Sequence, residues 1–579
     1  MRAQPLPDRD ALRGDDVRHP GRAPGGGGRH ARGDGRARPH DGELRFGGRE
    51  AVRVGPAAGD CGARGGSFTA DAAQGNDVAS PGSIPGRRRG NTVRHFAIRL
   101  TTALHALAPI VLAALTALPA PRTATAQPRT STNDGAHRGY LAARLLAGGE
   151  LQVIDELNAG RLFVPASVLK AVTVAAALEH LGTEYRWRTR LMTDGAVAGG
   201  VLDGDLVVEP GADPTWGEFF DDGADEPLAT LAGQVRARGV TRIAGDLVVD
   251  AGRFPGRLYP LDRSFGDLPY RHGAPPAGLA VDEATITVRV APGPAVGAPA
   301  RVRAPAGVDV INRTLTVGRD RQGAGSLDFL PVWDTDTLLL RGEYPISEPS
   351  FTVPASDPAP VLRAARHLRD ALHAAGVAVE GAVRLQVRAR PASDPAAVLA
   401  ELHSPPLEEL LPEILTRSHN WYADTLILTL GLEAAETGRF DDGVEVVADF
   451  VEDLPDPGRR VSAEPSLRDG SGLSAANLIA PATVARVLAY AAGQPWAETF
   501  IDALAGRGEG TLRAWPRLPP LAAKTGTLRH TIALAGIIGP DSDAPIVFCY
   551  FVNHNTRPRS AARGEIAAAL RRWRVAAAR

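Results

Sequence analysis

Three apolar runs near the C-terminus constrain the fold more than any other feature of the chain. LAAKTGTL (521–528), IALAGII (532–538) and APIVFCYFVN (544–553) each have the length of a strand, and only short turns separate them. Short connections join antiparallel neighbours, whereas a parallel crossover needs a dozen or more residues. The chain must therefore build an antiparallel sheet here, closed by an amphipathic helix at about 559–575. Far upstream, GYLAARLLAGGELQVIDELNAGRLFV (139–164) predicts two more strands about the Gly148-Gly149 turn, and a helix follows from about Ser167 to His180, ended by Gly182. Between these parts, 193–354 reads mostly as strands and turns. Helical character returns at 358–375 and persists with breaks to about 506. The expected class is α/β (α+β): helices on an antiparallel sheet, with the core domain split into 127–192 and 355–579 by inserted strand-rich domains at 193–354. Gly204-Asp205-Leu206-Val207-Val208 returns as Gly245-Asp246-Leu247-Val248-Val249. It reads either as two similar hairpin strands or as a coincidence.

The N-terminal part has a different character. Residues 1–92 are rich in Arg, Gly, Asp and Pro without apolar periodicity, so they predict disorder. At 93–126, Arg94 and Arg99 precede an apolar stretch from about Ala103 to Leu118, and Ala124-Thr125-Ala126 makes a small-x-small cleavage site. This is the pattern of a secretory signal peptide. It predicts an exported, periplasmic or extracytoplasmic protein whose mature chain starts near Gln127. The alternative is a membrane anchor, but the run is short of the ~20 residues a span needs, and Pro109 interrupts it. No Cys follows the cleavage site to carry a lipid. A signal peptide works from the N-terminus, and the only internal methionine is Met192. We therefore expect translation to begin at Val93 from a GTG codon; peptides from 1–92 in the native protein would contradict this.

Composition narrows the function. The net charge of -1 argues against a nucleic-acid binder, and no Cys/His cluster has metal-ligand spacing, so neither a metal nor another cofactor is expected. Cys61 lies in the N-terminal segment, and Cys549 sits in IVFCYFV as a small buried hydrophobe. Lysine is the informative residue. Of 65 Lys and Arg residues only Lys170 and Lys524 are lysine. Arginine serves a surface as well as lysine does, but it cannot give up its proton and so cannot act as a base.

The neighbours of each lysine supply a chemical reason for it. Ser167 and Lys170 stand at i and i+3 in VPASVLK, on one face of a helix whose start favours negative charge. A neutral lysine there can take the serine proton. Taken alone, S-x-x-K is a weak signal, since a serine cap beside a solvated charge looks the same. Lys524 opens Lys524-Thr525-Gly526-Thr527 on a strand. Lys524 supplies a positive field, Thr525 a hydroxyl donor, and Gly526 room for a substrate backbone. The Thr527 N–H is a candidate for an oxyanion hole with that of Ser167. Between the two lies Ser418-His419-Asn420, which alone would be a helix cap. In this company it offers a hydroxyl and an amide to the leaving group and the substrate backbone.

Together the three elements, in this order, resemble β-lactamases and penicillin-binding proteins. FVPASVLKAVTVAAALEHLG, GGVLDGDLVVEPGADPTW, GDLVVDAGRF, YRHGAPPAGLAVDE, HSPPLEELLPEILTRSHNWYADTLILTLG, RDGSGLSAANLIAP and AAKTGTL narrow the resemblance, which covers 139–579, to the class C low-molecular-mass penicillin-binding proteins. The resemblance implies a D-alanyl-D-alanine carboxypeptidase or endopeptidase. It implies a transpeptidase-like domain carrying two extra domains, which accounts for the 248 positions between Lys170 and Ser418. It makes Ser167 the acylated nucleophile and Lys170 its proton acceptor. Ser418 and Asn420 line the cleft, and Lys524, Thr525 and Thr527 bind the carboxylate side, with Ser418 relaying a proton from Lys524 to the departing D-alanine. Asp469-Gly470-Ser471-Gly472-Leu473-Ser474 matches a family loop expected to shape the cleft. The implied partners are peptidoglycan peptides, with β-lactams as inhibitors. Two departures stand out: His419 replaces the usual Asp or Asn, and VDEATITV lacks an expected asparagine near Glu283. The competing readings are a β-lactamase or esterase on the same fold, and a catalytically silent peptidoglycan-binding protein. Labelling by a fluorescent penicillin tests the last, and release of D-alanine from a pentapeptide tests the other.

Overall fold

The computed structural model describes residues 134–577 apart from 218–224, 319–326, 333–334, 388–396 and 456–462. The expectations for 1–92 and for the signal peptide at 93–126 lie outside the described residues.

The C-terminal strands form as the short turns require. Leu521–Leu528, Thr531–Ile538 and Ile546–Asn553 pair antiparallel, and the sheet extends through His137–Leu145 to Leu151–Leu157 on one side and Ala505–Gly506 on the other. Every residue of Thr531–Ile538 and Ile546–Asn553 is buried. That explains why these runs are apolar throughout rather than alternating: both faces of the sheet are covered. Ile532, Leu534, Phe548 and Tyr550 point to one face, where Ile566, Leu570 and Trp573 of the closing helix Arg559–Ala577 meet them. Ala533, Ala535, Val547, Cys549 and Phe551 point to the other and join a larger core. That core contains the helices Leu169–Leu181, Asn420–Glu433 and Pro481–Ala491. Cys549 is a free, fully buried thiol inside it.

The insertion has two cores of its own. Residues 285–356 fold into two three-stranded sheets that enclose Ile286, Val288, Phe329, Leu338 and Leu340. The other core gathers Leu191, Leu206, Val208, Leu247 and Val249 with Ala364, Leu368, Leu372 and Leu399. It therefore draws on the helices Asp225–Ala237 and Pro360–Ala374 as well as on strands. The pairing of its sheet reaches beyond 354: Val383–Gln386 pairs with Leu247–Asp250, and Ala397–His403 pairs with Arg188–Thr193. Val383–Gln386 and Ala397–His403 form the two edges of this five-stranded sheet.

The repeat is structural, although its strands are not hairpin partners. Leu206, Val207 and Val208 lie beside Leu247, Val248 and Val249 in parallel, in the register of the repeat itself. A third, diverged copy completes the set: AVEGAVRL (378–385) runs parallel to RIAGDLVV (242–249) in the same way. The helices Asp225–Ala237 and Pro360–Ala374 precede the second and third copies, as parallel neighbours require of their crossovers.

Candidate active site

Ser167 lies in a single 3-10 turn, Ala166–Val168, which runs straight into the helix Leu169–Leu181. Ala166 takes the left-handed conformation (φ 49), uncommon for a residue with a Cβ. Two glycines allow this turn to be gripped. A Cβ on Gly526 would come within 2.6 Å of the Pro165 carbonyl and 3.2 Å of Ala166 Cβ. A Cβ on Gly472 would come within 1.9 Å of the Ala166 carbonyl. The role expected of Gly526, close approach of a substrate, is thus joined by a second: its strand packs against the segment that carries Ser167.

Lys170 is fully buried at the start of the helix. Its Nζ stands 3.0 Å from Ser167 Oγ, 2.7 Å from Asn420 Oδ1 and 2.6 Å from the Ser471 carbonyl. A neutral amine has two hydrogens and one lone pair. The Asn420 and Ser471 oxygens accept the hydrogens, and the lone pair is left facing the Ser167 hydroxyl. Asn420 is fixed for this task, since its Nδ2 donates to the His272 carbonyl at 2.8 Å. Burial pushes the Lys170 pKa down to about 7, against the pull of Asp424 and Asp469 and with help from Arg263.

Lys524 is also fully buried, in the strand Leu521–Leu528. Its Nζ stands 2.7 Å from Ser418 Oγ and donates to the Thr525 carbonyl at 3.1 Å. Burial holds its pKa well below the usual lysine value, and the nearby Lys170 adds to the effect. Ser418 has a left-handed backbone (φ 68), so the hydroxyl facing Lys524 is held at some conformational cost. Ser418, His419 and Asn420 do not form a helix cap. His419 takes the N-cap position without a capping bond, and Asn420 is the first helical residue. Thr525 Oγ1 donates to Thr511 Oγ1 at 2.7 Å, and Thr527 lies half-buried two residues further along the strand. The structure thus gathers Ser167, Lys170, Ser418, Asn420, Lys524, Thr525, Gly526 and Thr527 about one place. The two amines are buried, while the Ser167 and Ser418 hydroxyls and the Asn420 amide are only half-buried.

Further residues complete the surroundings; of these, Asp424, Arg263, Thr511, Tyr422 and Arg271 were not singled out from sequence. Asp469-Gly470-Ser471-Gly472-Leu473-Ser474, expected only to shape the cleft, supplies the Ser471 carbonyl to Lys170. Behind it Asp424 and Asp469 are buried beside Arg263. Thr511 comes from a turn before the strand. His419 packs on Tyr422 with ring centroids 4.5 Å apart, and burial pushes its pKa down to about 3, with Arg271 and Lys170 contributing. It is therefore neutral at physiological pH and adds no charge beside Lys170. Tyr422 donates to Glu283, which also pairs with Arg271 at 2.8 Å. Single residues of this kind have no local motif; only the fold brings them together.

Comparison with known proteins identifies relatives of this arrangement. The sequence profile of the D-Ala-D-Ala carboxypeptidase 3 (S13) family matches residues 131–573. A D-alanyl-D-alanine carboxypeptidase of Actinomadura sp. (strain R39) is 31% identical over 448 residues, 73% of this chain and 79% of that protein. The D-alanyl-D-alanine carboxypeptidase DacB of Haemophilus influenzae is 27% identical over 436 residues, 72% of this chain and 86% of that protein. The crystal structure of penicillin binding protein 4 from Haemophilus influenzae superposes with a TM-score of 0.64 at 24% identity, covering 73% of this chain and 92% of that one. At that identity the superposition speaks for the fold, a transpeptidase-like domain with inserted domains.

Proposed function

Because the chain belongs to the D-Ala-D-Ala carboxypeptidase 3 (S13) family, we propose that its serine peptidase activity on peptidoglycan runs through an acyl-enzyme on Ser167. The protein is a serine-type D-Ala-D-Ala carboxypeptidase of the penicillin-binding class. The contact between Lys170 Nζ and Ser167 Oγ, with both amine hydrogens bound elsewhere, carries the reading.

The Ser167 Oγ attacks the carbonyl carbon of the penultimate D-alanine of a stem peptide as Lys170 Nζ takes its proton. The N–H groups of Ser167 and Thr527 are the candidate donors to the oxyanion. The peptide C–N bond then breaks. The departing amine of D-alanine takes a proton from Ser418 Oγ, which Lys524 Nζ replenishes. Thr525 and Lys524 bind the free terminal carboxylate, and Asn420 orients both Lys170 and the substrate backbone. Water then attacks the ester carbonyl, its proton passing through Ser418 Oγ back to Lys524; the ester C–O bond breaks, Ser167 Oγ regains its proton from Lys170, and the free acid leaves. The same ester forms when a β-lactam opens on Ser167, which makes these antibiotics inhibitors and peptidoglycan peptides the natural partners. The amino-terminal signal pattern supports action outside the cytoplasm, in the periplasm or its equivalent, and among the described residues no helix is long and apolar enough to cross a membrane.

Incubation with a pentapeptide ending in D-Ala-D-Ala, followed by mass analysis, should show loss of one alanine and release of free D-alanine. Ser167→Ala should abolish both this and covalent labelling by fluorescent penicillin. Full labelling of the Ser167→Ala protein would overturn the assignment.

A further inference from the structure

The two buried carboxylates behind Lys170 belong to the machinery without touching a reacting atom. Asp424 stands one helical turn beyond Asn420, on the same face. Its Oδ1 accepts the N–H groups of Gly470 at 3.1 Å and Ser471 at 3.0 Å. Asp469 accepts the N–H groups of Gly472 and Ser474, each at 2.8 Å, and the Asn477 amide at 2.8 Å. Together they shape the loop that presents the Ser471 carbonyl to Lys170. Both are fully enclosed, and both draw a proton toward Lys170. Two buried anions beside one amine work against the burial that lowers its pKa and favour the ammonium, which is useless as a base.

One further charge enters this enclosure, and it comes from the inserted segment. The Arg263 side chain is 1% exposed, pairs with Asp424 Oδ2 and lies 3.6 Å from Asp469 Oδ2. Among the described residues, Lys524 from the sheet and His419 at the helix start also face Lys170, and Asp267 acts on Arg263 from its own segment. We infer that Arg263 is a positioning residue for the Ser167 reaction: it offsets the two buried carboxylates behind Lys170 and so leaves the amine free to take a proton. The inserted domain thereby sets the charge state of a site built by the other domain. This inference rests on the roles proposed for Ser167 and Lys170.

The test is the rate of acylation by benzylpenicillin from pH 5.5 to 9.5, measured on the full protein. Wild type should rise with pH along a single acid limb. Arg263→Met removes the cation, so the limb should move to higher pH by about one unit or more, with most of the lost rate recovered at pH 9.5. Arg263→Lys keeps the charge and should return the limb to within about half a unit of wild type. Asp424→Asn, nearly isosteric, removes an anion and should move the limb the opposite way, to lower pH. Equal loss of rate at every pH in Arg263→Met, with no shift in Asp424→Asn, would overturn the inference and leave Arg263 a packing residue. If Arg263→Met does not fold, Asp424→Asn and Arg263→Lys decide: an unmoved limb in Asp424→Asn overturns it. A wild-type protein that is not acylated at any pH would instead refute the roles of Ser167 and Lys170.

Discussion

Lysine and arginine differ at position 170 in one property that this site uses: only lysine can release its proton near neutral pH. Lys170→Arg should therefore keep the fold and the charge yet lose acylation by several orders of magnitude; stopped-flow labelling near the wild-type rate would rule Lys170 out as the base. Its pKa of about 7 also sets a pH dependence. About a tenth of the enzyme should hold a neutral Lys170 at pH 6 and about nine-tenths at pH 8, so acylation should climb roughly tenfold between them. The same shift acts on stability. Between about pH 7 and the ordinary lysine value of 10.5, the unfolded chain binds a proton at this position that the folded one does not. Stability should then rise with pH across that window relative to Lys170→Met, a sign that urea titrations at pH 7 and 9 can check. Thr525 answers a different question. A charge-assisted hydrogen bond is worth ~1.5–3 kcal/mol, so Thr525→Val should slow acylation by penicillin roughly ten- to a hundredfold. A thioester lacking the carboxylate should suffer much less; equal loss on both substrates would withdraw the carboxylate assignment. Under the proposed role, the Thr525 hydroxyl, which donates to Thr511, turns from that partner to the substrate. No motif announces this, because Thr511 is an ordinary threonine in a turn.

Elements make a site only when they approach closely, and here the approach is through backbone. The strand Leu521–Leu528 and the loop at Gly472 both press on Pro165 and Ala166, each at a glycine. Gly526→Ala should push the strand away from the turn that carries Ser167. A misplacement of about 1 Å can cost a hundredfold, so acylation should fall at least tenfold while circular dichroism remains native-like. Retained activity would mean that the strand moves without consequence for Ser167. The sequence made the strands legible because each local run has one reading and short turns fix the pairing. The helix at Ser167 was legible for a similar reason: a proline before it, a glycine after it and apolar residues between. The long-range pairings of the insertion were not legible in this way. The strand Val383–Gln386 pairs with Leu247–Asp250 across 136 positions, and the helical signal of Pro360–Ala374 looks the same whether the helix covers an inserted sheet or the main one. The repeated GDLVV carried the missing information. Its identical registers mark parallel neighbours, and the third copy had diverged too far from the other two to be seen without the pairing.

At the scale of the whole molecule, the insertion is fastened to the catalytic domain at the residues that matter most. The start of the helix Asn420–Glu433 receives four contacts from 263–283. Asn420 donates to the His272 carbonyl, Trp421 Nε1 to the Pro275 carbonyl at 2.8 Å, and Tyr422 to Glu283 at 3.0 Å, while Asp424 pairs with Arg263. Ala274, Ala277, Ala280 and Ala284 also pack into the core that holds Trp421 and Tyr422. These apolar and polar ties make the inserted segment part of the catalytic core, so the site and this segment should lose structure together. Glu283 is the place to test this. It is 3% exposed and touches neither Ser167 nor Lys170, yet it accepts from Tyr422 and pairs with Arg271. Glu283→Ala strips a buried hydroxyl of its acceptor, which costs about 1–3 kcal/mol. Because that cost falls on the helix that begins with Asn420, acylation should slow as the melting temperature drops. Calorimetry of the wild type should show the melting of this segment and the loss of penicillin labelling at the same temperature. If Glu283→Ala melts the insertion in a separate, earlier transition while labelling by penicillin stays at the wild-type rate, the two domains are independent and the coupling is refuted.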